Sequence, residues 1–353
     1  MMPFRFGLIG AGVAADLHIQ AIKGLPDVEV RGVTDINRLR AKALAERYGI
    51  PEVFETTDDL LASSTVDAVT ILTPHHLHLP ATVAAAKAGK HVLAEKAFAH
   101  TVEAADAMIE VCRKHGVVLG GIFQNRFTPG AQACRHAVQA GDIGRVFLAS
   151  LRVKLRRSAA YFERAVWRGR KTEAGGGVLM IQAIHTLDLL LWILGMPRRV
   201  LGRSATTIHS IEVEDLAVGI LEFGGGALAV MEATTAAIPE HPPELEIHGD
   251  RGTAALFDSR GFLSFWSSTL ERPASLPDRW RRNASEFREQ QEPASPSQAA
   301  VEPHAENIRD FVAAVREGRP PLVDGIEARK SLLVIEAVYA SVTTASWINV
   351  EGG

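Results

Sequence analysis

The chain has 353 residues, 47% of them hydrophobic, and a formal net charge of −3 at pH 7. This length is too great for one small core and is typical of two domains. A charge so close to neutral argues against nucleic-acid binding and against electrostatic attachment to a membrane. The two cysteines, Cys112 and Cys134, lack metal-ligand spacing, so we expect buried free thiols in a reducing cytoplasm.

The N-terminal sequence and the most apolar helical segment predict neither a signal peptide nor a membrane span. An apolar strand begins almost at the first residue, without a basic segment or a small-residue cleavage site before it. The most apolar predicted helix, around residues 187–194, is expected to be too short to cross a bilayer.

The first strand leads into a glycine-rich turn with the pattern G-x-G-x-x-A, and a helical pattern follows. Gly10 permits a tight turn, Gly12 lets a pyrophosphate approach the backbone, and Ala15 lets the helix pack close to the strand. Val13 and Ala14 begin the helix, where backbone N–H groups and the helix dipole favour phosphate binding. The turn therefore predicts a dinucleotide site.

Asp35 ends the second apolar strand, 23 positions after Gly12. A carboxylate at that position can accept hydrogen bonds from both ribose hydroxyls of an adenosine. It would also repel a 2′-phosphate, so NAD is favoured over NADP. Arg38 is placed to stack on adenine or reach a phosphate, which keeps NADP possible. The alternative is a glycine turn in a doubly wound sheet that binds no nucleotide.

The fourth strand ends at Thr73 and Pro74, at the carboxyl edge of the predicted sheet, where ligands bind in such folds. Three histidines follow, His75, His76 and His78. They lack the carboxylate or thiolate ligands that usually complete a metal site. We expect a loop and a helix start beside the cofactor and predict no metal.

The fifth strand ends in the charged pair Glu95-Lys96. At the carboxyl end of a central strand, Lys96 would point into the crevice that holds the nicotinamide. Lysine is costly to bury, so this position favours a functional role. The alternative is a surface lysine paired with Glu95.

The pattern of elements predicts two domains, residues 1–125 and 126–353, in an α/β fold. The first alternates strand and helix, which indicates a doubly wound parallel sheet of the Rossmann type. The second contains long alternating segments that predict a large open, mostly antiparallel sheet, with Gly224–Gly226 as a hairpin turn. Residues 271–302 predict an exposed loop, and two helices follow, the first beginning at Pro303.

A second chemical motif lies in a strongly apolar helix that opens with Gly175–Gly177. The helix carries Gln182, His185 and Asp188 at intervals of three residues, so they share roughly one face. A polar row on a buried helix is costly unless it is hydrogen-bonded or used. Because imidazole titrates near neutrality, we expect His185 to transfer a proton. The alternative is a core histidine paired with Asp188.

In their order along the chain, these motifs resemble the Gfo/Idh/MocA oxidoreductases, and the resemblance covers essentially the whole chain. It implies an N-terminal Rossmann domain and a C-terminal α/β domain whose open sheet commonly joins family members, here as a homodimer or homotetramer. The residues that carry the resemblance are Gly10, Gly12, Thr73, Pro74, Glu95, Lys96, Gly175–Gly177, His185 and Asp188, with supporting matches at Trp167–Gly169, Glu214, Asp215, His248, Gly249, Asp310, Phe311, Gly318–Pro320 and Glu327–Arg329.

The resemblance implies an NAD(P)-dependent dehydrogenase or reductase acting on a secondary alcohol or ketone of a sugar, sugar derivative or cyclitol. Lys96 would hydrogen-bond the reacting oxygen, and His185 would take the hydroxyl proton as hydride leaves the same carbon. The candidate cofactor-binding residues are Gly10, Gly12, Val13, Ala14, Asp35, Arg38, Thr73, Pro74, His78, Glu95 and Lys96. The candidate substrate-binding residues are Lys96, Arg126, Tyr161, Trp167, Arg168, Gln182 and His185.

Two positions depart from the family pattern. Ala97 stands where the family usually has a proline, which leaves open how Lys96 is placed. Ile181 stands where inositol dehydrogenase-like members carry an aspartate. Either Gln182 or Asp188 orients His185 instead, or the substrate differs from an inositol. Two other functions stay open, a glycosidase that uses NAD transiently and a dinucleotide-binding regulator without catalysis.

Overall fold

The computed structural model describes residues 3–257, 262–268 and 296–350. The chain forms two compact units, Met1–Gln124 with Pro296–Arg329, and Asn125–Ser295 with Lys330–Gly353. The first border lies next to the predicted one at residue 125. Residues 296–329, however, group with the first unit, whereas the sequence pattern assigned all of residues 126–353 to the second domain.

The first unit contains a parallel sheet. Its strands are β1 (Phe4–Ile9), β2 (Val28–Thr34), β3 (Glu52–Val53), β4 (Ala68–Ile71), β5 (His91–Ala94) and β6 (Leu119–Gly121). They lie in the order β3-β2-β1-β4-β5-β6, and every neighbouring pair is parallel. The strand order reverses direction between β1 and β4, as in the doubly wound Rossmann fold, which confirms the predicted class.

Helices connect these strands and recur through the second unit. They are α1 (Val13–Lys23), α2 (Arg38–Tyr48), α3 (Thr57–Ala62), α4 (His78–Lys87), α5 (Val102–His115), α6 (Pro129–Gln139), α7 (Ala159–Glu163), α8 (Lys171–Ala174), α9 (Ile184–Leu194), α10 (Pro296–Glu317) and α11 (Gly325–Thr344). A π-helical segment, Leu179–Ala183, directly precedes α9.

The local sequence explains where the early helices begin and end. Helix α2 starts after Asn37, whose side chain accepts two backbone N–H groups, and stops at Gly49 in the left-handed conformation, with φ of 68°. Helix α3 starts at a capping box formed by Thr56 and Asp59. Both starts are therefore set by side chains within the first turn of each helix.

Helix α10 belongs to the first unit because it completes that unit's core. Phe311 is fully buried, and its ring packs 6.1 Å from that of Phe6. Asn307 accepts the backbone N–H of Phe123 at 3.0 Å and donates to the carbonyl of Gly121 at 3.3 Å. These hydrogen bonds satisfy backbone groups at the end of β6, so α10 stabilises this edge of the sheet.

The predicted loop at residues 271–302 needs a correction at its end. Residues 271–295 lie outside the described residues, and residues 296–302 form the first turns of α10. The helix continues through Pro303, which the sequence pattern had taken as its first residue. A proline is favoured at a helix start but is also found in long helices that tolerate a missing hydrogen bond.

The second unit is built on a larger, mostly antiparallel sheet, as predicted. Its strands are β7 (Val146–Lys154), β8 (Arg199–Ala205), β9 (Leu216–Glu222), β10 (Leu228–Thr234), β11 (Glu244–Gly249), β12 (Gly252–Phe257), β13 (Phe262–Ser268) and β14 (Ile348–Asn349). Their order is β13-β12-β11-β7-β10-β9-β8-β14, and β7 and β10 form a parallel pair within otherwise antiparallel neighbours. Gly224–Gly226 forms the predicted turn between β9 and β10.

The two faces of this sheet differ in exposure. Along β9 and β10, buried residues alternate with exposed ones, so one face is packed and the other is open. On β9 and β10 the open face presents five apolar residues that are 36–44% exposed: Leu216, Val218, Ile220, Leu228 and Val230. We call these five residues the apolar sheet face.

The apolar helical stretch of the second unit is longer than predicted. The stretch Lys171–Leu194 has 24 residues, is helical except at residues 175–177, and is by length and composition apolar enough to cross a membrane. The prediction that this helix is too short was therefore wrong. Its most apolar window is 83% buried inside the protein, as in the core helix of a globular domain.

Candidate active site

The glycine-rich turn leaves space on its outer side. Gly10 has φ of +109°, and a Cβ there would lie 2.9 Å from the carbonyl oxygen of Leu72, so this position requires glycine. A Cβ at Gly12 would meet nothing within 4 Å, so the protein itself does not require this glycine. No side chain caps the start of α1, where Val13 is exposed. The turn therefore fits a phosphate that approaches the backbone.

Asp35 lies at the end of β2 with a fixed carboxylate. Its Oδ2 accepts the N–H of Ala11 at 2.7 Å, and its Oδ1 accepts the N–H of Asn37 at 2.7 Å. A carboxylate oxygen has two acceptor positions, so these bonds leave capacity for ribose hydroxyls. Arg38 forms an exposed ion pair with Glu55 at 2.7 Å, and its contact with adenine or a phosphate stays a prediction.

Ile36 is a further candidate cofactor-binding residue that the sequence motifs did not predict. It follows Asp35 directly and is fully exposed, although isoleucine is usually buried. Its position makes it a candidate to cover the face of an adenine. The available signal was an apolar residue after the strand, between the carboxylate and the cap of α2.

Thr73 lies at the carboxyl end of β4, where the sequence predicted the cofactor. Its hydroxyl is buried and has no hydrogen-bond partner within the part of the chain that the structure describes. A buried hydroxyl without a partner is costly, so a ligand group that bonds to it would be stabilising. Thr73, the space beside Gly12 and the fixed carboxylate of Asp35 together fit a dinucleotide.

His78 has a structural position and is not available to a cofactor. Its side chain is fully buried at the start of α4. One ring nitrogen lies 2.9 Å from the carbonyl oxygen of Thr73 and the other 3.1 Å from that of Phe98. Burial lowers the pKa of His78, and the two carbonyls oppose that shift. His78 therefore connects the loops after β4 and β5, which corrects its assignment as a cofactor ligand.

Glu95 is also held from within the protein. Its Oε1 lies 2.8 Å from Nε2 of the buried His18, and its Oε2 accepts the backbone N–H of Lys96 at 2.9 Å. Burial alone would raise the pKa of Glu95, but the hydrogen bond and charge of His18 lower it well below its usual range. Glu95 is thus an ionised group that holds the start of the Lys96 segment.

Lys96 itself is half-buried directly after β5, as predicted. The peptide bond between Lys96 and Ala97 is cis. The backbone N–H of Ala97 donates to Nε2 of His75 at 3.1 Å, and both residues are buried. No pattern in the sequence predicts this contact between the two loops.

One group of metal-ligating side chains lies together among the described residues, and it was not a predicted one. The ligand atoms of His18, Glu95 and His304 lie within 4.8 Å of one another. The facing atoms of His18 and Glu95 are already joined by their hydrogen bond, and Nδ1 of His304 donates to the carbonyl of Ala300 at 2.8 Å. We therefore read this group as a buried polar cluster.

In the second unit, glycines open the helix that carries His185. A Cβ at Gly177 would collide with the backbone carbonyl of Glu214. The Glu214 carboxylate accepts the N–H groups of Gly177 at 2.8 Å and Leu179 at 3.1 Å, and the hydroxyl of Tyr339 at 2.9 Å. Burial raises the pKa of Glu214. The glycines thus let a buried acid cap this helix.

The predicted substrate residues of the second unit lie largely together. Between Val178 and Ile193, Gln182 and His185 are partly exposed and the other side chains are buried. The side-chain amide of Gln182 donates to the hydroxyl of Tyr161 at 3.3 Å. The guanidinium of Arg168 lies 4.3 Å from the centre of the Tyr161 ring and 5.8 Å from that of Trp167. We call Tyr161, Trp167, Arg168 and Gln182 the polar–aromatic cluster.

Arg126 differs from these residues. It is fully buried, and its guanidinium donates to both carboxylate oxygens of Asp188, at 2.7 and 2.8 Å. The Trp192 ring lies 5.7 Å from the same guanidinium. Arg126 thus belongs to a buried ion pair, which corrects its assignment to a substrate pocket. Asp188 has Arg126 as a partner, and an orienting role toward His185 stays a prediction.

Comparison with known proteins assigns both halves of the chain. Residues 4–123 match the family model described as "Oxidoreductase family, NAD-binding Rossmann fold", and residues 131–255 match the "GFO/IDH/MocA C-terminal domain". The chain belongs to the Gfo/Idh/MocA family. This confirms the resemblance seen in the sequence motifs.

Related Gfo/Idh/MocA proteins span this chain. Myo-inositol 2-dehydrogenase from Thermotoga maritima is 25% identical, over 98% of each chain. 1,5-Anhydro-D-fructose reductase from Ensifer adhaerens is 34% identical, over 70% of this chain and 74% of its own. The WlbA dehydrogenase from Bordetella pertussis, solved in complex with NADH and UDP-GlcNAcA, has a TM-score of 0.89 and 28% identity, over 100% of this chain and 99% of its own. This Gfo/Idh/MocA protein is therefore an NAD-binding oxidoreductase.

Proposed function

We propose that this protein transfers a hydride between NAD and a secondary alcohol or ketone of a small carbohydrate or cyclitol. The polar–aromatic cluster is the observation that supports this substrate class most directly. Gln182 of that cluster lies one helical turn before His185, and these two are partly exposed on an otherwise buried helix. Aromatic faces beside amide, hydroxyl and guanidinium groups suit a hydroxylated ring, which has both apolar and hydrogen-bonding surfaces.

Lys96 and His185 are proposed to carry the proton chemistry. The ammonium of Lys96 would donate to the reacting oxygen and hold it as charge develops. His185 would take the hydroxyl proton while the C–H bond breaks and the carbon becomes a carbonyl. When bound, NAD supplies the hydride acceptor at the nicotinamide ring. In the reductive direction, His185 would return the proton.

The cofactor is proposed to lie along the carboxyl edge of the first sheet. The N–H groups at the start of α1, with Val13 and Ala14, would face the pyrophosphate beside Gly12. Asp35 would accept the ribose hydroxyls and disfavour a 2′-phosphate, so NAD is preferred to NADP.

The apolar sheet face is proposed to join copies of this chain in a homodimer or homotetramer. An exposed patch of five apolar side chains on two neighbouring strands is unusual for a monomer. With two buried thiols and a sugar-type substrate, the enzyme is proposed to work in the cytoplasm.

The test is a screen of NADH absorbance with NAD or NADP and a panel of sugars, sugar acids, anhydrosugars, inositols and glycosides, with product analysis alongside. NADH formed with one substrate group is the expected result. Glycoside cleavage without net NADH would replace the proposal with a glycosidase. Tight dinucleotide binding with neither reaction would favour a regulator.

Two variants then test the assigned groups. Lys96→Met and His185→Asn are each expected to lower kcat by about 100-fold or more while NAD affinity stays close to wild type. His115→Asn, an exposed histidine at the end of α5, is the matched control and should leave kcat unchanged. Wild-type turnover in His185→Asn would rule out this histidine as the base.

A further inference from the structure

We propose that His75 is a positioning residue for Lys96 and that it acts through the backbone amide of Ala97. The inference rests on the proposed function, because it assumes that the placement of Lys96 limits catalysis. It concerns a histidine that the dinucleotide motif, the proton chemistry and the family motifs leave without a role.

The segment after β5 is fixed by three successive backbone amides. The N–H of Glu95 donates to the carbonyl of Ile71 at 3.1 Å, which continues the sheet. The N–H of Lys96 donates to Oε2 of Glu95 at 2.9 Å. The N–H of Ala97 donates to Nε2 of His75 at 3.1 Å. The position of the peptide after Lys96 therefore depends on a side chain from another loop.

Burial makes the hydrogen bond from Ala97 to His75 difficult to replace. Ala97 is fully buried and His75 is 3% exposed, so water does not readily replace the imidazole as acceptor. A buried N–H that loses its acceptor is destabilising, and the chain moves to find another one. Because Ala97 is bonded directly to Lys96, a shift of the Ala97 amide would move the lysine as well.

The loop that carries His75 is itself held against the same segment. His78, one turn later, has its two ring nitrogens against the carbonyls of Phe98 and Thr73. The rings of His75 and His78 lie 5.9 Å apart. The two histidines thus join consecutive residues, Ala97 and Phe98, to the loop that follows β4. His78 binds carbonyl oxygens, so His75 alone supplies the acceptor in this pair.

The residue type at position 97 matters for the same reason. Alanine supplies an amide hydrogen, whereas proline has none. A chain with proline at position 97 would give His75 no N–H to accept. The effect of changing His75 should therefore depend on the residue at position 97, which makes the proposal testable by a double-mutant cycle.

The experiment compares four variants with wild type: His75→Leu, His75→Asn, Ala97→Pro and the double variant with His75→Leu and Ala97→Pro. kcat, KM, NAD affinity and thermal unfolding are measured for each. His75→Leu removes the acceptor and is expected to lower kcat about 10- to 100-fold, as a small displacement of a reacting group does. NAD affinity should stay within about twofold of wild type. His75→Asn keeps a side-chain oxygen acceptor and should recover part of kcat.

In the Ala97→Pro background, adding His75→Leu should lower kcat far less than it does in wild type. Wild-type kcat in His75→Leu would overturn the proposal. So would an equal loss in both backgrounds, or a loss of NAD affinity as large as the loss of kcat, since His75 would then act elsewhere. If Ala97→Pro does not fold, equal kcat values for His75→Leu and His75→Asn would overturn it.

Lys96→Met separates this proposal from the proposed function. Loss of turnover in Lys96→Met with wild-type kcat in His75→Leu would overturn the His75 inference alone. Wild-type turnover in Lys96→Met would instead overturn the role assigned to the lysine.

Discussion

The carboxylate of Asp35 has two tasks in this chain. It accepts the N–H groups of Ala11 and Asn37, so it fixes the glycine-rich turn relative to the end of β2. It also carries the negative charge expected at the adenosine ribose. One residue thus fixes the glycine-rich turn and is proposed to select the cofactor.

Asp35→Ala is expected to weaken NAD binding by about 10- to 100-fold, the usual loss for a hydrogen bond to a charged group. Turnover at saturating NAD should change much less, because Asp35 lies far along the dinucleotide from the reacting carbon. Asp35→Asn is the matched control, since it keeps the shape and an acceptor but loses the charge, and it should improve NADP relative to NAD. Fluorescence titration measures both affinities, and unchanged NAD affinity in Asp35→Ala would contradict the ribose role.

Both cysteines are expected to be unreactive in the folded protein. Burial raises the pKa of Cys112 to about 12, and it does the same for Cys134. Because the thiolate is the reactive form, a chromogenic disulfide reagent should label neither thiol in native protein and both after denaturation. Rapid labelling of the native protein would show that one of these side chains is accessible.

At the scale of elements, the helix that carries His185 shows how packing positions a candidate catalytic residue. Gly177 lets the buried Glu214 reach the first backbone N–H groups, and a π-helical segment then precedes His185. Such segments often occur at functional sites because they change the phase of a helix face. The segment precedes both His185, which is partly exposed, and Asp188, which is buried against Arg126.

Helix α10 makes folding stability sensitive to acid through His304. Burial lowers the pKa of His304 from 6.5 to about 4, so the folded protein keeps this ring neutral where the unfolded chain binds a proton. The free energy of unfolding should therefore be highest, as far as His304 is concerned, above about pH 6.5. It should fall by roughly 3 kcal/mol as the pH is lowered to about 4.

Urea unfolding at several pH values measures this loss. His304→Gln removes the titrating group, so it should show a smaller fall in unfolding free energy between pH 6.5 and pH 4 than wild type. Its absolute stability is not the relevant quantity, because the comparison is between pH dependences. Parallel curves for the two proteins would show that His304 does not titrate differently on folding.

At the scale of the whole molecule, the apolar sheet face is an exposed apolar surface that a single chain does not bury. Its side chains are the outward half of an alternating pattern whose inward half forms the core of the second unit. Burial of this face against another copy would remove a large apolar area from water, which stabilises association.

Val218→Asp on β9 is expected to convert the oligomer to monomers, because it places a charge in the centre of the apolar sheet face, where burial without a partner is costly. Light scattering after size-exclusion chromatography measures the mass. Ile326→Asp, at an exposed apolar residue of α11, is the matched control and should keep the wild-type mass. A wild-type protein that is already monomeric, or an unchanged mass in Val218→Asp, would contradict the proposed interface.

Local signals in the sequence were sufficient to predict most strands and helices of the first unit and the sheet of the second unit. The Gly10–Gly12 turn, the cap at Asn37 and the alternation along β9 depend on neighbours a few residues apart, so their pattern is visible without the fold. Asp35, Lys96, Gln182 and His185 were identified as candidates for the same reason, because each follows a recognisable strand or glycine signal.

The tertiary structure decided which distant groups meet. Helix α10 joins the first unit because Phe311 and Asn307 complete its core and sheet edge, and nothing in residues 296–329 signals that return. The pairs Arg126–Asp188, His18–Glu95 and His75–Ala97 likewise join residues far apart in sequence. Buried polar groups need hydrogen-bond partners, and the folded chain brings those partners together from distant positions. The order of residues along the sequence does not show which ones will meet.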